Sequence, residues 1–210
     1  MTNDLNTVKF QYHHGQLPEA LMDATEAILG EKGVEGFSLR EAARRAGVSP
    51  SAPAHHFVDK RGLLTAVATR GFVDLIQALS DAENAAPAGA AARAVAIAYV
   101  RFAIDRPARF QLMWRGALLD QGNDTYRDVA DRAFSMFSRI MTSKTTTIQA
   151  PGAVEDAPAI AVWALVHGFA VLMLDGIFVS EDQNADAVIA RLLPAVLDNV
   201  SASGVNADSG

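Results

Sequence analysis

Residues 37–64, FSLREAARRAGVSPSAPAHHFVDKRGLL, leave this chain fewer ways to fold than any other segment, because they string helix start and stop signals together at short intervals. Ser38-Leu39-Arg40-Glu41 reads as a capping box. The Ser38 hydroxyl is expected to accept from the Glu41 amide while the Glu41 carboxylate reaches back to the Ser38 amide. Leu39, Ala42, Ala43 and Ala46 then share one helix face, and Gly47 supplies a left-handed residue for a sharp turn. Val48 plugs the elbow. Ser49 and Pro50 open a second helix as N-cap and first residue, where the missing proline N–H has no helical partner to lose. Asp59 caps a third, longer helix beginning at Lys60. Two short helices joined in this way form a helix-turn-helix, whose second helix is shaped to enter a DNA major groove.

Charge and composition test that reading. The net charge is −6, but residues 1–75 hold 8 Lys/Arg against 9 Asp/Glu, which leaves −5 for the remainder. Within residues 40–61, Arg40, Arg44, Arg45, Lys60 and Arg61 face only Glu41 and Asp59, a local +3. A small basic patch on an acidic chain fits sequence-limited DNA binding better than indiscriminate coating of nucleic acid. The competing reading makes Arg40 and Arg44 a solvated face and pairs Arg45 with Glu41. The absence of Cys excludes disulfide and thiolate chemistry and suits a reducing cytoplasm. No basic segment leads into an apolar run near residue 1, so a secretory leader is not expected. Residues 157–179 are apolar and long enough to span a bilayer, yet they contain His167 and Asp175 and carry the acidic flanks Glu155, Asp156, Glu181 and Asp182. They read as a core or dimer-interface helix rather than a membrane span.

Along the chain, residues 1–11 read as a flexible arm, and Leu17, Leu21, Ala24 and Ile28 mark a first helix up to Gly33. Residues 12–60 form the helix-turn-helix domain and 61–80 a connecting helix, striped by Leu63, Leu64, Val67, Ala68, Phe72, Leu75, Ile76 and Leu79. Residues 81–200 make a second domain. Its Ala-rich helix is interrupted at Arg106-Pro107, since a residue before proline is pushed out of helical geometry. A short helix to about Ala117 follows, then a long amphipathic one from Asp124 to about Lys144, ended by Ala150-Pro151-Gly152. Two closing helices span roughly 156–179 and 185–200, and the tail 201–210 reads as disordered. With no alternating pattern and no repeat, the chain is expected to be all-α with about nine helices: a three-helix DNA-binding domain and a helical bundle.

At Ser38, Ala43, Ala46-Gly47-Val48-Ser49, Phe57 and Lys60 the sequence resembles the DNA-binding domain of the TetR family of bacterial transcriptional regulators, over roughly residues 12–79. Trp163-x-x-x-His167-Gly168 is similar to the W-x-x-x-H-G pattern of one branch of that family, as is Tyr12-His13-His14-Gly15 before helix one. Ala54 departs from the family, which commonly has a phosphate-contacting Tyr there, and Pro53 removes a neighbouring amide. His55 or His56 are the available substitutes.

The resemblance implies a dimer held by the two C-terminal helices, with recognition helices about one DNA turn apart, and Leu165, Phe169, Leu172, Ile189, Leu192 and Val196 are the expected interface residues. Ser38, Ser49, Ser51 and Lys60 are candidate phosphate contacts, with Arg40 in the same basic patch. Ser51 and His55 are candidates for base edges, and Ala52 for a thymine methyl. The second domain would enclose a pocket lined by Phe102, Phe110, Met113, Trp114, Phe134, Phe137, Met141, Trp163 and His167, although for any one of these ordinary core packing is the commoner role. Arg106 and Arg109 suit either an anionic ligand or plain surface placement.

The expected function is therefore sequence-specific, double-stranded operator DNA binding by a cytoplasmic homodimer, a repressor whose affinity is modulated by a small apolar or amphipathic effector. A ligand-independent architectural DNA binder is the alternative, and a small-molecule enzyme a more distant one. No nucleophile elbow, P-loop, dinucleotide turn or zinc-protease motif is present, and the adjacent pairs His13-His14 and His55-His56 diverge on a helix, so no catalytic residue, metal, cofactor or membrane partner is expected.

Overall fold

The computed structural model describes residues 17–142, 156–178 and 184–205. The expected arm, the Tyr12-His13-His14-Gly15 segment, Lys144, Ala150-Pro151-Gly152 and residues 206–210 lie outside them. Among the described residues there are eight α-helices and no strand: α1 Leu17–Lys32, α2 Leu39–Arg45, α3 Lys60–Ala85, α4 Ala91–Asp105, α5 Pro107–Met113, α6 Asp124–Thr142, α7 Ala157–Leu174 and α8 Ala185–Val205. The all-α expectation holds, close to the nine helices anticipated. The missing helix is the one expected to open at Ser49-Pro50. In its place stands a single 3-10 turn, Ala52–His55. Helix α8 continues to Val205, five residues into the segment read as a disordered tail.

The chain divides into two compact units, one ending at Leu64 and one beginning at Thr65, so the boundary falls inside α3. In the first unit α1 packs on α2, and α2 on the 3-10 turn, around buried Leu21, Ile28, Phe37, Ala42, Ala43, Leu63 and Leu64. In the second, α4 lies against α5, α6, α7 and α8, and α7 against α6 and α8. Tyr99, Phe110, Met113, Phe137, Val166 and Leu193 are among its buried side chains.

One glycine permits a close approach in this second unit. A Cβ on Gly71 of α3 would stand 2.6 Å from Met113 Sδ, 2.9 Å from Met113 Cγ and 3.1 Å from Arg109 Cγ. Met113 is fully buried, so it must shift within the core, toward the cavity it lines, to admit a larger side chain. Gly71→Val is therefore expected to destabilise the protein by about 1–3 kcal/mol through overpacking, read as a lower denaturation midpoint. An unchanged midpoint would mean that α3 and α5 separate at no cost.

Arg109 was expected on the surface or at an anionic ligand. It is instead only 4% exposed and ion-paired with Asp74 of α3. A guanidinium buried at that depth requires such a partner, because desolvation of an unpaired charge is costly.

Helices α3 and α7 are both long and apolar enough to cross a membrane. In α7 fewer than a third of the residues in the most apolar stretch are buried within the chain. Ala157, Ile160, Ala161, Ala164, Val171 and Leu172 of that helix are exposed on one apolar face, with half-buried Gly168 between Ala164 and Val171.

Candidate functional site

The helix-turn-helix is built by the caps its sequence specifies. Ser38 Oγ accepts from the Glu41 amide at 3.2 Å, starting α2. At the other end Gly47 takes φ 71°, its N–H donates to Arg44 O, and Val48 N–H donates to Ala43 O. Those two bonds make a Schellman motif, which satisfies carbonyls the helix would otherwise leave open. Asp59 Oδ1 accepts from Gly62 N–H at 2.8 Å and caps α3.

Half of the expected capping box is absent. The Glu41 carboxylate does not turn back to Ser38; it takes two bonds from Arg44 at 2.8 Å and one from Arg45 at 3.0 Å. Those guanidinium bonds, Arg44's first, hold the Glu41 carboxyl well below the usual carboxylate range. Arg45 also grips Glu31 of α1 in a bidentate pair at 2.7 and 2.6 Å. Arg44 and Arg45 thus serve the internal structure of the unit, so the effective basic patch is narrower than the sequence count implies.

The second element departs from a regular helix for a local reason. Pro50 and Pro53 have no amide to donate, and Pro53 disfavours the helical conformation at Ala52. The bonds that remain run from Ala52 N–H to Ser49 O, Ala54 N–H to Ser51 O and His56 N–H to Pro53 O with 3-10 spacing, and one bond of α spacing, Phe57 N–H to Pro53 O, closes the turn. Ser49 consequently caps no α-helix, and its hydroxyl lies 3.1 Å from that of Ser51. Pro53 is buried, whereas Ser49, Ser51, Ala54, His55 and His56 are exposed and Ala52 is half-buried. Arg40 is also exposed. Lys60 places its ammonium 5.4 Å from the Phe37 ring centroid and donates to Val34 O at 3.5 Å.

The second unit holds a cavity of about 390 Å³. Met113, Trp114, Phe134, Phe137 and Trp163 line it, five of the nine residues singled out from sequence. Phe110 and His167 sit behind its wall, with ring centroids 6.1 and 5.0 Å from Trp114. Phe102 belongs to a broader groove between α3 and α4, walled mainly by alanine and charged side chains together with Arg106, and Met141 to a small cleft beside Leu165 and Leu197. Neither of these two helix faces turns toward the aromatic cavity. Phe72, Tyr99 and Tyr126 were missed, since helical spacing marked Phe72 and Tyr126 only as parts of stripes and gave Tyr99 no role. The groove is larger, about 730 Å³, but it is more polar, carrying Asp74, Asp81, Arg101, Asp105 and Arg106 and, among the described aromatic residues, only Phe102.

Trp163 and His167 meet at Tyr99, 64 and 68 residues away. Trp163 Nε1–H donates to Tyr99 Oη at 3.3 Å, and the Tyr99 hydroxyl stands 2.9 Å from His167 Nδ1. Burial pushes the Tyr99 phenol above its ordinary range and the His167 imidazole below 6.5. The tyrosine therefore donates and Nδ1 accepts, which assigns the neutral ring's proton to Nε2. The sign of the pH effect follows. Below pH 6.5 the unfolded chain takes up a proton that the folded ring resists, so stability falls as pH drops through 6.5 toward the lower pKa of the folded ring. Thermal melts of His167→Gln should show a shallower decline than the parent. Equal slopes would remove His167 from this acid sensitivity.

Of the residues expected at a dimer interface, Phe169 and Ile189 are already 5% and 1% exposed within the chain, and Phe169 stacks on Phe178 at 5.2 Å. They face the protomer's own core. Leu172 is 40% exposed, and Leu165, Leu192 and Val196 are half-buried.

Residues 21–67 match the family described as Bacterial regulatory proteins, tetR family, and residues 92–196, half of the chain, match Tetracyclin repressor-like, C-terminal domain. The chain is 25% identical over 173 residues to the uncharacterized HTH-type transcriptional regulator YobS of Bacillus subtilis, covering 80% of this chain and 84% of that one. A protein with unknown function from Rhodococcus sp. RHA1 superposes with a TM-score of 0.72 at 30% identity, over 91% of this chain and 98% of the other. The fold is also that of the TetR family regulator PfmR from Thermus thermophilus, at TM-score 0.62 and 20% identity, over 85% and 97% of the two chains. A helix-turn-helix fixed by its own caps, followed by an all-helical bundle that matches along its length, places the chain in the TetR family of bacterial transcriptional regulators.

Proposed function

We propose that this regulator is a cytoplasmic homodimeric repressor that holds double-stranded operator DNA until a small apolar or amphipathic effector occupies the cavity of its second unit. The observation that carries the proposal is the pairing, in one chain, of an exposed helix-turn-helix with an aromatic-walled cavity of about 390 Å³. An architectural DNA binder has no use for such a cavity, and the acidic second half would oppose non-specific coating. Ser38, Arg40, Ser49 and Lys60 are assigned to phosphates. Ser51, His55 and Ala52 are assigned to base edges, and His56 to the contact vacated where Ala54 replaces the family's Tyr. Met113, Trp114, Phe134, Phe137 and Trp163 are assigned to the effector. Leu165, Leu172, Leu192 and Val196 are assigned to the second copy, which would cover the exposed stripe of α7 without any membrane.

The DNA roles separate in a salt titration. Lys60 sits at the capped start of α3, and releasing its ammonium from the Phe37 ring lets it reach a phosphate. Lys60→Ala is expected to weaken binding evenly across operator variants and to reduce the salt slope by about one unit. Ser51→Ala and His55→Ala are expected instead to change the preferred sequence. A Lys60→Ala loss confined to one base position, or even losses from the other two, would reverse the assignments.

A further inference from the structure

We infer that the effector of the aromatic cavity is an organic cation: an amine or quaternary ammonium group carried on an apolar body. The inference rests on the ligand-cavity reading above and specifies its chemistry. Of the sixteen described residues lining the cavity seven are aromatic, and the charged ones among them are Asp131 and Asp156. No Lys, Arg or His stands among these described lining residues. An aromatic face is negative at its centre and attracts a cation, most strongly where water is excluded, whereas an anion meets the same faces unfavourably.

Asp156 is the decisive residue. It is 4% exposed, yet it has no hydrogen-bond or ionic partner among the described residues. It stands at the N-cap of α7 without making the side-chain bond to the helix that a capping aspartate ordinarily makes. The helix dipole there favours a carboxylate, but it gives no reason for that carboxylate to line an aromatic chamber. A carboxylate that lines an aromatic wall and spends no bond on its own helix is open to a ligand ammonium as its countercharge. Asp131 is exposed on the same wall and extends the negative field toward solvent. A cation can therefore be attracted at the wall, pass among the rings of Trp114, Phe134 and Trp163, and pair with Asp156. Hydrophobic burial of the ligand body would supply most of the affinity, while the carboxylates and rings would select its charge.

The chain's only two tryptophans, Trp114 and Trp163, both line this cavity, so intrinsic fluorescence reports its occupancy directly. The probes are benzyltrimethylammonium, its neutral carbon isostere neopentylbenzene, and phenylacetate, each titrated into the full-length protein. The cation is expected to bind at least about tenfold more tightly than the isostere, with phenylacetate weakest. Asp156→Asn should remove most of that preference and leave neopentylbenzene within about twofold of its parental affinity. If Asp156→Asn fails to fold by circular dichroism, Asp131→Asn carries the same comparison, with a smaller loss of preference expected. Binding of the isostere or of phenylacetate as tightly as the cation overturns the inference but leaves the ligand cavity standing. A charge preference unmoved in the carboxylate variant also overturns it. A fluorescence spectrum unchanged by all three probes overturns the ligand cavity as well.

Discussion

Leu172→Glu is expected to yield folded monomers whose operator affinity is lower by about a hundredfold or more. In a dimer the second helix-turn-helix meets its half-site intramolecularly, and losing that linkage commonly costs two to four orders of magnitude without any change in the individual contact. Leu172 is suited to the test because it is 40% exposed and lies on the α7 stripe with Ala161, Ala164 and Val171. A glutamate there perturbs little inside the protomer but cannot be buried against a second copy without a countercharge. Phe169 and Ile189, equally apolar in sequence, would give an ambiguous answer. Both are buried in the chain's own core, so a charge at either would unfold the protomer before it separated two of them. Leu192→Glu on α8 provides the second measurement. Sedimentation equilibrium reports the mass and an operator titration the affinity. A Leu172→Glu protein that sediments as a dimer with parental affinity would place the interface elsewhere.

That contrast shows what helical spacing carries and what it lacks. Spacing identified α7 and α8 as apolar, but each is apolar over more than one face, and only the packing of α4 against both decides which face is already occupied. The same limit governs the cavity. Phe102 and Tyr99 lie on α4 three residues apart, yet Tyr99 lines the cavity and Phe102 faces the outer groove. Tertiary rotation of the helix, which the local pattern does not encode, separates them. The turn was more legible because its causes are local: Ser38, Gly47 and Asp59 act on neighbours within a few residues. Even there, charge intervened. Arg44 and Arg45, both one turn along α2, draw the Glu41 carboxylate away from the capping box, and Arg45 also reaches Glu31 fourteen residues back. The 3-10 recognition turn was present in the sequence as Pro50 and Pro53. The proline at 53 outweighed the start signal at Ser49-Pro50, since a missing donor in the only turn of so short a helix has no later turns to compensate for it.

Phe137→Ala and Trp114→Ala, though both residues line the cavity, are expected to fail in different ways. Phe137 is fully buried and packs its ring 5.5 Å from that of Tyr99, the residue held by Trp163 and His167. Its removal should cost about 3–5 kcal/mol, a large share of the roughly 5–15 kcal/mol that stabilises a typical protein. In a urea titration the Phe137→Ala midpoint should fall sharply, and any loss of effector response would be inseparable from partial unfolding. Trp114 is only half-buried, and it presents its ring to the cavity between Phe72 and Trp163, at centroid distances of 5.3 and 5.4 Å. Trp114→Ala should therefore lose less stability while removing a contact that the effector makes in one state and not in the other. That difference is what a switch requires. Moving the DNA-binding equilibrium from 1:99 to 99:1 takes about 5.5 kcal/mol of differential affinity, so losing even about 1.4 kcal/mol of it cuts the response about tenfold. Operator release should thus need about ten times more effector in Trp114→Ala, with affinity for DNA in the absence of effector nearly unchanged. If basal DNA affinity falls in parallel with the response, Trp114 supports the fold rather than the switch. If neither changes, the effector does not act through this cavity and only the DNA-binding function stands.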